Sequence, residues 1–274
     1  MMESSILKFL MILPRELRIV LQGPIGPQRL HDDTVVIAEN GWYRTLTPSC
    51  PWPSANEVLF SNLNSEDPDA QIDQLIAEYH EQGLPLTWCV YPWTQPWDLE
   101  KRLLVRGATR SPVKAMLISS SLPLEVVEGI CVERVDPDSD GSFASYMEIL
   151  HAGYNLIPQE KTFRNLRYRE LIRGESPKMI LYLARYNGKV AGCAGMVIKD
   201  DSAHITTSSV LPEFQARGVF LSLTAMMLQT LRELKIDIAS GHANTNSAPW
   251  VEYFGGKVLF SYDILQVDPP AASV

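Results

Sequence analysis

The sequence predicts a mixed α/β fold (an α+β mixed sheet) built as two halves, and three observations carry that expectation. Short apolar runs alternate from end to end with stretches of helical spacing. The pattern restarts after Ser119–Pro123, which sets the halves at 1–122 and 123–274. One strand, ending at Val210-Leu211, feeds a glycine-bearing turn and a long patterned helix. A chain of 274 residues has room for one large domain or two small ones.

The apolar run Ile6–Leu13 reads as a first helix. Glu3 precedes it, Lys8 interrupts it and Pro14-Arg15-Glu16 follows, none of which suits a cleaved secretory signal. Thr34–Leu46 holds a Val-Val-Ile run, Asn40-Gly41 and an aromatic run, the pattern of a hairpin. Thr47–Pro53 is a proline-rich loop. Ile72, Leu75, Ile76 and Tyr79 recur at helical spacing within Pro68–Gln82, and Gly83 stops that helix. Pro85–Pro92 is a short apolar strand, Pro96–Arg106 a helix and Val113–Ser119 a strand.

In the second half, Ile130–Val135 reads as strand or linker, and Asp140–Ala152 and Pro158–Arg173 as helices. Pro177–Tyr186 and Val190–Lys199 form a hairpin around Asn187-Gly188-Lys189. Ala203–Leu211 is a strand in which Ile205 and Val210 have opposite parity, so a bulge between them would bring both to one face. Arg217–Lys235 is a long helix, Ile236–Ser240 a buried strand, Ser247–Phe254 a short helix and Val258–Val267 the last strand before a frayed tail. A faint repeat of strand, loop, helix and strand links Leu86–Ile118 to Ile236–Leu265.

Lys and Arg number 24 against 32 Asp and Glu, so the formal charge is 24 − 32 = −8. That argues against a coat for nucleic acid or an anionic membrane. No run approaches the ~20 apolar residues of a membrane span. Cys50, Cys89, Cys131 and Cys193 are scattered, which gives no metal motif and fits a reducing, cytoplasmic compartment.

Gln215-Ala216-Arg217-Gly218-Val219-Phe220 lies between a strand and a helix start. Unpaired amides and the positive end of the helix dipole make such a turn a cradle for an anion. Val210-Leu211-Pro212-Glu213-Phe214-Gln215-Ala216-Arg217-Gly218-Val219-Phe220 resembles the acyl-CoA signature of the GNAT superfamily of N-acetyltransferases. The hairpin before it and HANTNSAPWVEYFGG after it fit the same order. The first half is similar to the degenerate N-terminal half of tandem-GNAT proteins. The resemblance implies acetyl-CoA as acyl-donor cosubstrate and no metal. It implies that the backbone of Ser208, Ser209 and Val210 pairs with the pantetheine arm. Amides of Gln215, Ala216, Arg217, Gly218, Val219 and Phe220 would hold the pyrophosphate, and Asn244 or Asn246 would meet the pantetheine.

Two positions depart from the family pattern. Phe220 replaces a Gly or Ala. The tyrosine that protonates the leaving thiolate falls at Val251, with Tyr253 two residues on, about 200° around a helix. Val210 N–H is the oxyanion donor expected there. His204, His242 and Glu252 are candidate bases, with His204 expected at the surface and His242 on a loop. Trp88, Tyr91, Trp93 and Trp97 could wall an acceptor pocket, core packing being the plainer reading. Arg164, Arg167, Arg169 and Arg173 read as a solvated face.

The function expected is acetyl transfer to a primary amine on a small molecule or peptide. Decarboxylation of a malonyl thioester by Thr206 or Thr207 with His242, and non-catalytic acyl-CoA binding, are the alternatives. No nucleic-acid or membrane partner is expected, and a homodimer is one open assembly.

Overall fold

The computed structural model describes residues 10–38, 41–63 and 66–270. The helix read over Ile6–Leu13 and the tip of the first hairpin at Asn40 fall largely outside them. The chain forms two compact units. One comprises residues up to Arg18, Arg29–Ala115 and the chain from Leu259; the other comprises Ile19–Gln28 and Met116–Val258. A single cut at 122/123 therefore differs from the observed division. The boundaries fall inside α1 (Arg15–Gln22), β5 (Thr109–Ser119) and β11 (Lys257–Val267), and just before Arg29.

In the first unit, β1 (Val35–Ile37) and β2 (Tyr43–Leu46) form the expected hairpin, with Val35 opposite Leu46. β3 (Glu57–Phe60) pairs antiparallel with β2, and β4 (Leu86–Val90) pairs parallel with β3. β11 runs antiparallel to β4. Sequence reading missed β3, whose four residues are all buried and so show no alternation. α2 (Pro68–His80) sets Ile72, Leu75 and Tyr79 into a core with Trp88, Leu99 and Leu265. Its N-cap is Asp67, whose carboxylate accepts the Ala70 amide at 3.0 Å. α3 (Leu99–Leu104) is shorter than predicted, because residues 96–98 form a turn in which the Leu99 amide bonds the Pro96 carbonyl.

The second unit orders its strands β10-β9-β8-β7-β6. They are β6 (Ile130–Arg134), β7 (Met179–Tyr186), β8 (Lys189–Ile198), β9 (Ala203–Val210) and β10 (Ile238–Asn244). The helices are α4 (Asp140–Tyr154), α5 (Pro158–Leu171), α6 (Val219–Glu233) and α7 (Ala248–Tyr253). Asn187 and Gly188 both take positive φ, as a type I′ hairpin turn requires. The run Met179–Ala184 is buried throughout because the sheet is covered on both faces. Ile180 and Tyr182 pack with Leu223 and Leu228 of α6, while Leu181 and Leu183 pack with Phe143 and Tyr146 of α4.

The bulge inferred from parity is present. Gly195 faces Thr207 and Met196 faces Ile205, which leaves Thr206 as the extra residue. Ile205 and Val210 consequently pack on the same core, that of α6.

Leu228 is fully buried. Leu228→Ala is expected to lower stability by about 3 kcal/mol, read from the midpoint of urea unfolding.

Candidate functional site

The site begins where β9 and β10 part. Their parallel pairing covers Ala239–Gly241 against Ala203–Ile205 and ends at the Thr206 bulge. Further along β9, the Leu211 amide bonds the Ala191 carbonyl of the neighbouring β8 at 2.9 Å. Amides alternate along an antiparallel edge, so those of Ser208 and Val210 point away from β8. The Ser208 amide shows this directly, lying 3.3 Å from the Tyr154 hydroxyl. Val210 N–H therefore has the direction expected of an oxyanion donor.

The chain leaves β9 through a 3-10 turn at Pro212–Phe214. Gln215, Ala216 and Arg217 are exposed. Ala216 (φ 58°) and Gly218 (φ 82°) are both left-handed, and α6 starts at Val219. Ser222 N closes the first helical bond onto the Gly218 carbonyl at 2.9 Å, so the amides of Val219, Phe220 and Leu221 have no acceptor within the helix. No acidic residue stands in that first turn. The requirement for glycine is intrinsic to the fold, since a Cβ on Gly218 would also lie 2.8 Å from the Val127 side chain.

The remaining expected ligand-binding groups are engaged locally. The Arg217 guanidinium lies over the Tyr186 ring, 5.4 Å from its centroid. Gln215 Nε2 reaches the Val210 carbonyl at 3.5 Å. Asn244 Oδ1 accepts the amides of Asn246 and Ser247, both at 3.0 Å, and so caps the turn into α7. Asn246 is exposed. The Phe220 ring packs on Phe254, centroids 5.8 Å apart.

The candidate catalytic groups are dispersed. Val251 is partly buried against the α6 core, whereas Tyr253 is 81% exposed and Glu252 is also exposed. His204 is 4% exposed, contrary to the expected surface position. The adjacent Asp200-Asp201 turn is exposed, but His204 points inward and its Nδ1 pairs with Ser240 Oγ at 3.0 Å. His242 lies within β10 rather than on a loop, because that strand continues to Asn244. Its Nε2–H donates to the Val20 carbonyl at 3.0 Å, and its ring meets His204 edge-on at 5.5 Å. Thr207 Oγ1 is buried 2.9 Å from the Tyr146 hydroxyl, and Thr206 Oγ1 donates to the Gly195 carbonyl at 3.3 Å.

Sequence reading missed Tyr154. Its hydroxyl donates to the Ser208 carbonyl at 3.4 Å as well as accepting the Ser208 amide. Although Tyr154 as a whole is 46% exposed, desolvation around its hydroxyl raises its pKa above the usual tyrosine value, so the phenol keeps its proton. One turn earlier, burial together with Lys161 and Arg164 lowers the pKa of His151, and the buried Nε2 has no hydrogen-bond partner among the described residues.

The arginines of α5 and its C-terminal end face carboxylates: Arg164 with Glu160 (2.7 Å), Arg167 with Glu170 (2.6 Å), Arg169 with Asp140 (2.9 Å) and Arg173 with Asp138 (3.7 Å). The aromatic group of the first unit divides. Trp88 is core, Tyr91 stacks on Trp93 at 5.4 Å and Trp97 is exposed. In that unit the helix following a parallel strand starts differently from α6. Asp67 caps α2, Pro68 lacks an N–H, and Asp69 adds a carboxylate held by Arg102 and Arg106. Among the described residues there is no group of His, Cys, Asp and Glu that could hold a metal, and no helix long and apolar enough to cross a membrane.

Residues 143–255 match the profile of the acetyltransferase (GNAT) family. No curated protein matches in sequence. Solved structures share the fold over nearly the whole chain. A conserved protein of unknown function from Staphylococcus epidermidis has a TM-score of 0.68 at 14% identity, covering 88% of this chain and 96% of its own. A GCN5-related N-acetyltransferase from Kribbella flavida has a TM-score of 0.65 at 13% identity, covering 98% and 97%. A tandem GNAT protein from the clavulanic acid biosynthesis pathway has a TM-score of 0.59 at 11% identity, covering 93% and 89%. The mixed sheet, the GNAT fold and the presence of a second domain accord with the sequence reading.

Gly218→Ala is expected to lower stability by about 1–2 kcal/mol with no ligand present, from the left-handed φ alone. The Val127 contact adds to that loss. A thermal melt of the unliganded protein checks it.

Proposed function

We propose that this GNAT-fold chain is an acyl-CoA-dependent N-acyltransferase, acting through its second unit on a primary amine of a small molecule or peptide. One observation carries the reading: amides freed by the Thr206 bulge at Ser208 and Val210 lie on the same chain segment as the acceptor-free amides opening α6. A thioester with a diphosphate at one end and a carbonyl at the other suits that pair of features. The exposed turn at Gln215–Arg217 and the absence of acid in the first turn of α6 fit the phosphate end.

The chemistry asks for a neutral amine, a donor to the tetrahedral oxyanion and a proton for the departing thiolate. Val210 N–H supplies the donor. Tyr154, whose phenol stays protonated beside Ser208, takes the part that Val251 cannot. The net charge of −8 favours a cationic acceptor. On this reading the first unit takes no thioester of its own, because carboxylates already occupy the start of α2.

Phe220→Asp separates ligand from fold. A carboxylate in the first turn favours the helix by its dipole and repels a diphosphate. The melting temperature is expected to fall by only a few degrees, since the dipole gain offsets part of the lost Phe254 packing, while acetyl-CoA affinity by calorimetry falls about tenfold or more. Equal affinity in wild type and variant would refute the phosphate assignment. Tyr154→Phe is expected to lower kcat about a hundredfold with acetyl-CoA affinity changed less than threefold. An undiminished kcat would remove Tyr154 from the reaction.

A further inference from the structure

Aromatic side chains at the start of α6 and along α7 form one continuous surface in the second unit. The Phe220 ring packs on Phe254, which packs in turn on Tyr253 at 5.7 Å and on Trp250 at 6.4 Å between centroids. Trp250 and Tyr253 meet edge-on, 6.4 Å apart. α7 has two unlike faces. Ala248 is buried and Val251 packs on the α6 core, while Trp250 is 51% exposed and Tyr253 more so. Two large aromatic side chains held outward on one short helix are apolar area that the fold of the unit does not use.

The place of this surface says what it meets. Phe220 stands in the first turn of α6, and its own amide is one of the three without an acceptor in the helix. The bulky residue at 220, a departure from the family pattern, is what joins that helix start to the rings of α7. An anion held by those amides therefore has an aromatic surface directly beside it. In a nucleotide, the ribose likewise sets a flat base beside the phosphates and not upon them.

We propose that Trp250 and Tyr253 form a subsite for the purine base of the acyl donor, and so select thioesters of coenzyme A over those of a bare phosphopantetheine arm. The inference rests on the acyl-CoA reading above and deepens it. A purine stacks on the face of one ring and receives the edge of another, which is what an edge-on pair of rings offers. Glu252 is the only charged side chain of α7. The surface thus suits the uncharged base and leaves the phosphates to the amides of α6. A phosphopantetheine arm carries no base, so it gains nothing from these rings.

The test uses the full chain and two donors: acetyl-CoA, and S-acetyl phosphopantetheine, which has the same thioester arm without the nucleoside. Trp250→Ala is expected to weaken acetyl-CoA about tenfold by calorimetry and to change the affinity of the truncated donor less than about twofold. Trp250→Phe keeps an aromatic face and should recover most of the loss. Acetyl-CoA should quench the tryptophan fluorescence of the wild type, and that quench should vanish in Trp250→Phe. Trp250 is half exposed, so both variants are expected to fold, which a thermal melt checks. Unchanged acetyl-CoA affinity in Trp250→Ala would overturn the base subsite and leave the acyltransferase reading standing. An equal loss for both donors would overturn the subsite too, as would a wild-type dimer that Trp250→Ala breaks with acetyl-CoA affinity unchanged. Wild-type protein that binds neither donor would overturn both readings.

Discussion

The second unit depends on one extra residue in a strand. Thr206 has no counterpart on β8, and inserting it does three things at once. It ends the pairing of β9 with β10, turns the amides of Ser208 and Val210 to the open side, and brings Val210 onto the α6 face beside Ile205. Without the bulge, Val210 would point its isopropyl group at α4 and the parallel pair could continue. The surrounding packing holds the irregularity in place. Thr207 is fixed by the Tyr146 hydroxyl, and Gly195 opposite has no room for a Cβ, which would lie 2.9 Å from both groups.

The two units handle an exposed helix start in opposite ways. α2 satisfies its own amides with the Asp67 carboxylate, loses a donor at Pro68 and places Asp69 against two arginines. α6 begins from a left-handed glycine with no capping side chain and no acid. Free amides at a helix start carry partial positive charge, so the first arrangement is electrostatically closed to an anion and the second is open. The difference lies in a handful of residues at corresponding points of similar strand–helix–strand units.

Much of this was legible because it rests on local rules. The opposite parity of Ile205 and Val210 pointed to the bulge, Asn187-Gly188 to a turn, and the Gly218 turn to the start of a long helix. The failures have physical causes too. Glu57–Phe60 is buried on both faces, so periodicity had nothing to show. His204 follows two aspartates, and its burial depends on Ser240, distant in sequence. Tyr154 was lost because the helix was ended at Ala152. It continues two residues to a left-handed Asn155, and that last turn carries the hydroxyl to Ser208.

The double contact of Tyr154 with Ser208 has a kinetic meaning. An edge amide with no strand beside it would otherwise be solvated, and any arriving group would first have to strip that water away. Here a side-chain hydroxyl holds the place, so in the proposed thioester complex an arriving arm trades one polar contact for another of like strength. Such an exchange contributes little to tightness and spares departure the exposure of a bare amide. In the acyl transfer proposed above, the same side chain returns to the edge as the thiol withdraws, which favours rapid cycling over firm retention.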